Sequence, residues 1–178
     1  LPMALSIITG AQVSSRLVPR IGVRPLLTLG ATMATLGFLW LALIEPHSAY
    51  WPAIVVPSVI CALAMGLLFM PLASAATAGV SKHEAGLASG VLNTSRQVGG
   101  SVALAVLGTV AADRTATFVD RHSALALVSG YQRAFQTSAA ITAAALVVSL
   151  FVPRVAPSRP RDERAGRRRR TASAAERG

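Results

Sequence analysis

Residues 54–74 read IVVPSVICALAMGLLFMPLAS, and they lie within a longer stretch, residues 48–81, that contains no charged side chain. A helix that rises 1.5 Å per residue needs about 20 apolar residues to cross a hydrocarbon core of about 30 Å. The stretch is too long for a strand, and it is rich in Leu, Ala and Gly instead of alternating between apolar and polar residues. It therefore predicts a membrane-spanning helix over residues 52–74.

Four more runs of the same kind lie on either side of this one. Numbered along the chain, with the run described above as the third, they are the first run (residues 1–15), the second (25–44), the fourth (86–112) and the fifth (134–153). The fourth run is interrupted by Arg96. Only helices and closed barrels satisfy their backbone polar groups inside lipid. We therefore predict an all-α membrane protein with about five transmembrane helices. A soluble helical protein is the less favoured alternative, because four near-continuous apolar runs cannot all be internal in so short a chain.

The overall composition supports a membrane protein. Of the 178 residues 53% are hydrophobic and only 13% are charged, whereas soluble domains average about 25% charged residues. The net charge of +10 is concentrated at the end of the chain, where nine of the 17 basic residues follow residue 153. Residues 154–178 are therefore predicted to be a disordered, Arg-rich tail that cannot bury a core.

The charges between the runs predict how the chain crosses the membrane. The connector at residues 16–24, the connector around Lys82 and the tail fall on one side and carry most of the basic residues. The positive-inside rule places that side in the cytoplasm. We expect a multi-pass protein of the cell membrane with a cytoplasmic C-terminus. Because an apolar run is already under way at Leu1, we also expect the chain to be a fragment that lacks its N-terminal part.

The most specific connector is RLVPRIGVR, residues 16–24. It combines a turn at Gly22 with three guanidinium groups, those of Arg16, Arg20 and Arg24. Such a turn can pair with carboxylates or helix C-termini and so act as a cytoplasmic gate loop. The alternative is that it only anchors the topology.

The fourth run contains small residues at helical spacing. Gly86 and Gly90 form a G-x-x-x-G pair, and Gly99 and Gly100 follow two turns later. Small residues four apart let helix backbones approach closely in a membrane. We predict that these glycines mediate helix packing. In the third run, Pro57 and Pro71 are predicted to kink the helix, because proline removes a backbone hydrogen bond.

Asn93, Arg96 and Gln97 share one face of the fourth helix, at positions i, i+3 and i+4. The apolar stretch after Arg96 is too short to span a membrane alone, so the helix draws Arg96 at least partly into the bilayer. A charge there is costly unless it faces water or a partner. We predict that these side chains line a substrate cavity or brace it. The alternative is that Arg96 snorkels to the headgroups.

Enzymatic and metal-binding functions lack the residues that they need. The three histidines are scattered in connectors without the spacing of metal ligands, and the only cysteine, Cys61, has apolar neighbours. Neither a nucleophile elbow nor a phosphate-binding loop is present in the sequence. We therefore expect no enzyme activity, no metal and no cofactor. The Arg167–Arg170 run is expected to meet lipid or solvent, and nucleic-acid binding is not expected.

Three segments resemble the C-terminal part of major facilitator superfamily transporters, and more closely the fourteen-span drug–proton antiporter branch. RLVPRIGVRP, residues 16–25, resembles the family's cytoplasmic loop motif. Residues 66–109 resemble its penultimate-helix region, with an N-T-x-R-Q-x-G-G core from Asn93 to Gly100. A last apolar run then leads into a basic tail. The resemblance covers residues 1–153, and it departs from the family at Val18 and Pro19, where the loop motif has an acidic residue.

The resemblance implies alternating access by two halves that hold the substrate between them. It also implies export of small lipophilic or cationic compounds, such as drugs, driven by inward proton flow. The family's proton-binding acid lies in the N-terminal half, so no residue here is assigned that role. The expected partners are membrane lipid, a small-molecule substrate and the N-terminal half of the same transporter. The alternative function is that of a non-transporting membrane anchor or assembly protein with a basic tail.

Overall fold

The computed structural model describes residues 2–47, 50–77, 79–81, 83–118 and 123–151. These residues form five α-helices, and a π-helical segment, Trp51–Val55, leads into the third. The all-α fold and the number of helices agree with the prediction. The predicted disordered tail, residues 154–178, lies outside the described residues. In chain order the helices are α1 (Pro2–Ile21), α2 (Val23–Leu41), α3 (Val56–Thr77), α4 (Ala85–Ala116) and α5 (Ala124–Phe151).

Two helices extend well beyond the uncharged runs that predicted them. α1 continues past residue 15 to Ile21, through Arg16 and Pro19. α5 begins at Ala124 and not at residue 134, so Arg133 lies inside it. A charged side chain ends an apolar run without ending a helix, because Arg has a high helix propensity and a long stem that reaches toward water. For these two helices the length of the uncharged run therefore differs from the length of the helix.

Three of the described helical segments are long and apolar enough to cross a membrane: Val23–Leu41, Trp51–Thr77 and Ala124–Phe151. α1 and α4 fall outside this set because polar side chains recur along them. Examples are Gln12 and Ser14 in α1, and Asn93 and Gln97 in α4. With 32 residues, α4 is about 48 Å long and exceeds the thickness of a hydrocarbon core.

α2, α3, α4 and α5 form a ring of four helices, and α1 lies outside it against α3. α2 packs against both α3 and α5, while α4 packs mainly against α5 and touches α3 over a smaller area. Two of the polar side-chain contacts join α5 to α2 and to the residues just after it. Thr35 of α2 donates to Thr142 of α5 at 3.1 Å, and the Gln132 side chain of α5 donates to the Ile44 carbonyl at 2.6 Å.

The core consists largely of small residues, and many large apolar side chains point outward. Ala64 and Ala126 are completely buried, whereas Leu43 is 75% and Leu104 is 74% exposed. This distribution is typical of helices that pack through small residues and present large ones to lipid. In water, exposed apolar patches of this extent would favour association or aggregation.

α1 and α3 approach each other most closely at Gly10 and Gly66. A Cβ atom added at Gly66 would lie 2.3 Å from the Ile7 carbonyl oxygen and 3.0 Å from the Gly10 Cα. At Gly30 and Gly37 of α2 an added Cβ atom would first meet side chains of α3, those of Leu68 and Cys61, and at Gly130 of α5 it would meet the Thr115 hydroxyl and the Ala111 carbonyl of α4. The absence of a side chain at Gly10 and Gly66 therefore permits the close backbone approach of α1 and α3.

Candidate functional site

Arg96 of α4 has a partner on α3. Its guanidinium carbon lies 4.3 Å from the centre of the Phe69 ring, and one of its terminal N–H groups donates to the Phe69 carbonyl at 3.3 Å. The Arg96 side chain is half-buried, while Phe69 is 55% exposed. Stacking on the ring and donation to the carbonyl both favour one orientation of the guanidinium plane. This contact joins α4 to α3.

Asn93 and Gln97 lie on the face of α4 beside Arg96, and both are exposed. None of the residues of α4 is buried, although the helix is the longest of the five. Thr94, Ser95 and Ser101 are exposed along the same part of the helix. Within a hydrocarbon core such a polar surface is stable only against water or protein. The structure thus brings Arg96 against α3 and leaves Asn93 and Gln97 open.

Among the described residues, the four glycines predicted to mediate helix packing have no close neighbour on another helix. A Cβ atom added at Gly86, Gly90, Gly99 or Gly100 would meet no atom within 4 Å among the described residues. The close contacts are made instead by Gly10, Gly66, Gly30, Gly37 and Gly130. Spacing along one helix shows that a close approach is possible, whereas the packing partner depends on the tertiary arrangement. A role of the α4 glycines in helix packing remains a prediction.

The basic connector is much shorter than the nine residues predicted for it. Only Gly22 separates α1 from α2, so Arg16 and Arg20 belong to α1 and Arg24 to α2. Gly22 has φ 86° and ψ 175°, a combination that is essentially restricted to glycine. Its N–H donates to the Val18 carbonyl at 3.0 Å. The break between α1 and α2 therefore depends on a glycine at position 22, which has no side chain.

The three arginines of this connector differ in their surroundings. Arg16 and Arg20 are exposed on the last two turns of α1. The Arg24 guanidinium is half-buried and donates to the Leu150 carbonyl in the last turn of α5. A cation at a helix C-terminus interacts favourably with the helix dipole. Arg24 thus ties the start of α2 to the end of α5, and a gating role for the group stays a prediction.

Pro71 leaves a gap in the hydrogen bonding of α3, and a serine of α1 fills it. Proline has no N–H, so the Leu67 carbonyl one turn earlier lacks its helical donor. The Ser14 hydroxyl donates to that carbonyl at 2.8 Å, and Ser14 is completely buried. Pro57 directly follows the first residue of α3, next to the π-helical segment. π-Helical turns often accompany bends, and the kinks predicted at both prolines stay a prediction.

Ser14→Ala is expected to weaken the contact between α1 and α3 while leaving the helices intact. The change removes the donor and leaves a buried carbonyl unsatisfied. Hydrogen bonds between membrane helices contribute about 0.6 kcal/mol on average and up to about 1.7 kcal/mol. Thermal unfolding in detergent, followed by size-exclusion chromatography, should show a lower midpoint. Ser6→Ala is the matched control, because Ser6 donates only to Pro2 within its own helix. Equal midpoints for both variants would contradict the assigned role.

Two of the cavities along the described residues are lined by more than one helix, and the sequence indicated neither of these two. The first is an open, largely apolar groove of about 420 Å³ between four helices. It is lined by Leu27, Leu72, Ala75, Ala76, Leu92, Ala145, Val148 and Ser149. We call it the apolar groove. The second has about 570 Å³ and lies between the end of α4 and the start of α5. It is lined by Val110, Asp113, Arg114, Thr117, Ser129, Gln132, Arg133 and Gln136. Their linings come from residues far apart in the sequence, so no local motif predicts them.

Comparison with known proteins shows matches along most of the chain. The family model described as Major Facilitator Superfamily matches residues 3–176. Over 154 residues the chain is 38% identical to the cephamycin export protein CmcT of Amycolatopsis lactamdurans, a match covering 86% of this chain and 31% of that protein. It is 32% identical to the puromycin resistance protein pur8 of Streptomyces alboniger, covering 84% of this chain and 31% of that protein.

A third relative is the multidrug resistance protein Stp of Mycobacterium tuberculosis. The identity is 29% over 133 residues, which covers 75% of this chain and 24% of that protein. The chain therefore spans between about a quarter and a third of the length of these curated relatives.

Proposed function

Because the chain belongs to the Major Facilitator Superfamily, whose members are multi-pass membrane transporters and not enzymes, we propose that it forms part of an efflux transporter. The transporter exports small lipophilic or cationic compounds such as drugs and is driven by proton entry. The names of these relatives, which refer to antibiotic export and to antibiotic or multidrug resistance, support this proposal.

The observation that carries the proposal is the surface of α4. This helix has no buried residue, and it exposes Asn93 and Gln97 beside an arginine that is fixed against α3. In a membrane such a surface must border water or another part of the protein. We propose that it lines the translocation path, with the rest of the transporter on the other side. Membrane lipid covers the large apolar side chains of the other helices.

The basic connector at Gly22 belongs to the cytoplasmic side in this proposal. Arg16 and Arg20 are exposed there, and Arg24 is tied to the last turn of α5. The chain after α5, with its nine basic residues, then also lies in the cytoplasm, in accordance with the positive-inside rule. Arg16, Arg20, Gly22 and Arg24 would form a gate element whose position follows that of α5.

The export activity can be tested with the full-length protein that carries this chain. We expect cells lacking their own efflux pumps to accumulate less of a lipophilic dye when they express it. A protonophore should abolish the difference, because the proposed driving force is proton entry. Cells that express an unrelated membrane protein at the same level are the control. Equal accumulation in both strains would contradict export and favour the non-transporting anchor or assembly protein.

A further inference from the structure

We infer that the apolar groove beside Arg96 binds a lipophilic compound that carries a carboxylate. This inference rests on the proposed function and names a substrate class for the proposed exporter. Of the compounds that the family resemblance implies, the lipophilic ones fit this groove and the cationic ones do not.

The apolar groove and the Arg96–Phe69 contact are adjacent on both α3 and α4. Leu92 lines the groove and lies four residues before Arg96 on α4, while Leu72 lines it and follows Phe69 by three residues on α3. Residues three or four apart are neighbours on a helix surface. The guanidinium therefore lies within about one turn of the groove. A volume of about 420 Å³ falls within the range that is usual for small-molecule sites.

No acidic side chain among the described residues is close enough to neutralise Arg96. Glu84 precedes Arg96 by twelve residues and Asp113 follows it by seventeen, which correspond to about 18 Å and about 25 Å along a helix. Glu45 lies in the connector before α3, at the far end of that helix from Phe69. A cation at this depth is costly without an anion or water nearby. Its charge favours an anionic ligand and repels an ammonium group.

The guanidinium retains donors for such a ligand. Arg carries five N–H groups in a planar fork, and the hydrogen bond described for Arg96 goes to the Phe69 carbonyl. The Phe69 ring lies against one face of the guanidinium, a contact that uses none of the N–H groups along its edges. A carboxylate accepts two parallel N–H bonds from such an edge. The apolar body of the same compound would then occupy the groove next to Leu72 and Leu92.

The test is the binding of two probes that differ mainly in charge, 1-naphthylacetate and its neutral amide, to the full-length protein in detergent. Equilibrium dialysis should show tighter binding of the acid than of the amide. Arg96→Gln is expected to weaken binding of the acid by about 10- to 100-fold, the range for a hydrogen bond to a charged group, and to change amide binding less than about twofold. Arg114→Gln is the matched control, since Arg114 lies on the same helix and also faces a ring, that of Phe118.

The outcomes separate this inference from the proposed function. Equal affinity for the two probes in the unaltered protein would overturn the inference, whether or not the variant folds. An equal loss of both probes in Arg96→Gln would also overturn it, because Arg96 would then pair with a carboxylate of the protein or act only structurally. If the protein exports a dye from cells but binds neither probe, the inference fails and the proposed function stands. If it exports no dye, the proposed function fails.

Discussion

Gly66→Ala is expected to push α1 away from α3 and to lower the thermal stability of the full-length protein in detergent. The new methyl carbon would lie 2.3 Å from the Ile7 carbonyl oxygen and 2.9 Å from the Ala11 nitrogen. Both atoms belong to the backbone, so no side-chain rotation can make room. Overpacking of this kind typically costs about 1–3 kcal/mol and occasionally more. The displacement would also lengthen the nearby bond from Ser14 to the Leu67 carbonyl.

Gly90→Ala provides the matched control, because it adds the same methyl group to a helical glycine. A Cβ atom at Gly90 meets nothing within 4 Å among the described residues, and alanine is the better helix former. We therefore expect its midpoint to be unchanged or slightly raised, whereas that of Gly66→Ala falls. A large loss of stability in Gly90→Ala would show that α4 packs closely on a part of the protein outside this chain, as the G-x-x-x-G spacing predicts. Unchanged stability in Gly66→Ala would contradict the close approach of α1 and α3.

The helices could be predicted because each depends on residues that are adjacent in the sequence. The uncharged run at residues 48–81 predicted α3, and the other runs predicted the remaining four helices. The ends of the helices were less predictable, because the apolar runs were delimited by charged residues. Arg16 and Arg133 interrupt apolar runs, but their backbones continue the helical hydrogen bonding of α1 and α5. Helix ends depend on backbone geometry, as the positive φ of Gly22 shows.

The candidate site was predictable only in part. The sequence indicated that Arg96 needs a partner or water, because a charged side chain within a membrane-spanning helix is energetically costly. It did not indicate Phe69, which is 27 residues away and contacts Arg96 through its ring and its carbonyl. In the same way, Gly10 and Ser14 are four residues apart and could have been recognised as a small-residue pair. Their counterparts Gly66 and Leu67 on α3 could not, since pairing between helices depends on the tertiary fold.

Ala76→Phe is expected to prevent substrate from entering the apolar groove and to abolish dye export by the full-length protein. Ala76 is exposed and lines the groove, so a phenyl ring there can occupy its volume without entering the helix contacts. Unlike Arg96→Gln, this change should weaken binding of naphthylacetate and of its neutral amide alike, because it removes space and leaves the charge. We expect a loss of about tenfold or more for each probe, which corresponds to about 1.4 kcal/mol.

Ala140→Phe is the control for the added ring. Ala140 is exposed on α5 and does not line the groove, so the variant should bind both probes and export dye normally at a matched expression level. Ala76→Phe and Arg96→Gln together distinguish the contribution of the shape of the groove from that of the charge of Arg96. If Ala76→Phe reduced acid binding alone, the groove would not hold the apolar body of the ligand. If Ala76→Phe left both binding and export intact while the protein stayed folded, the groove would lie outside the translocation path, and the polar surface of α4 would have to bind the substrate by itself.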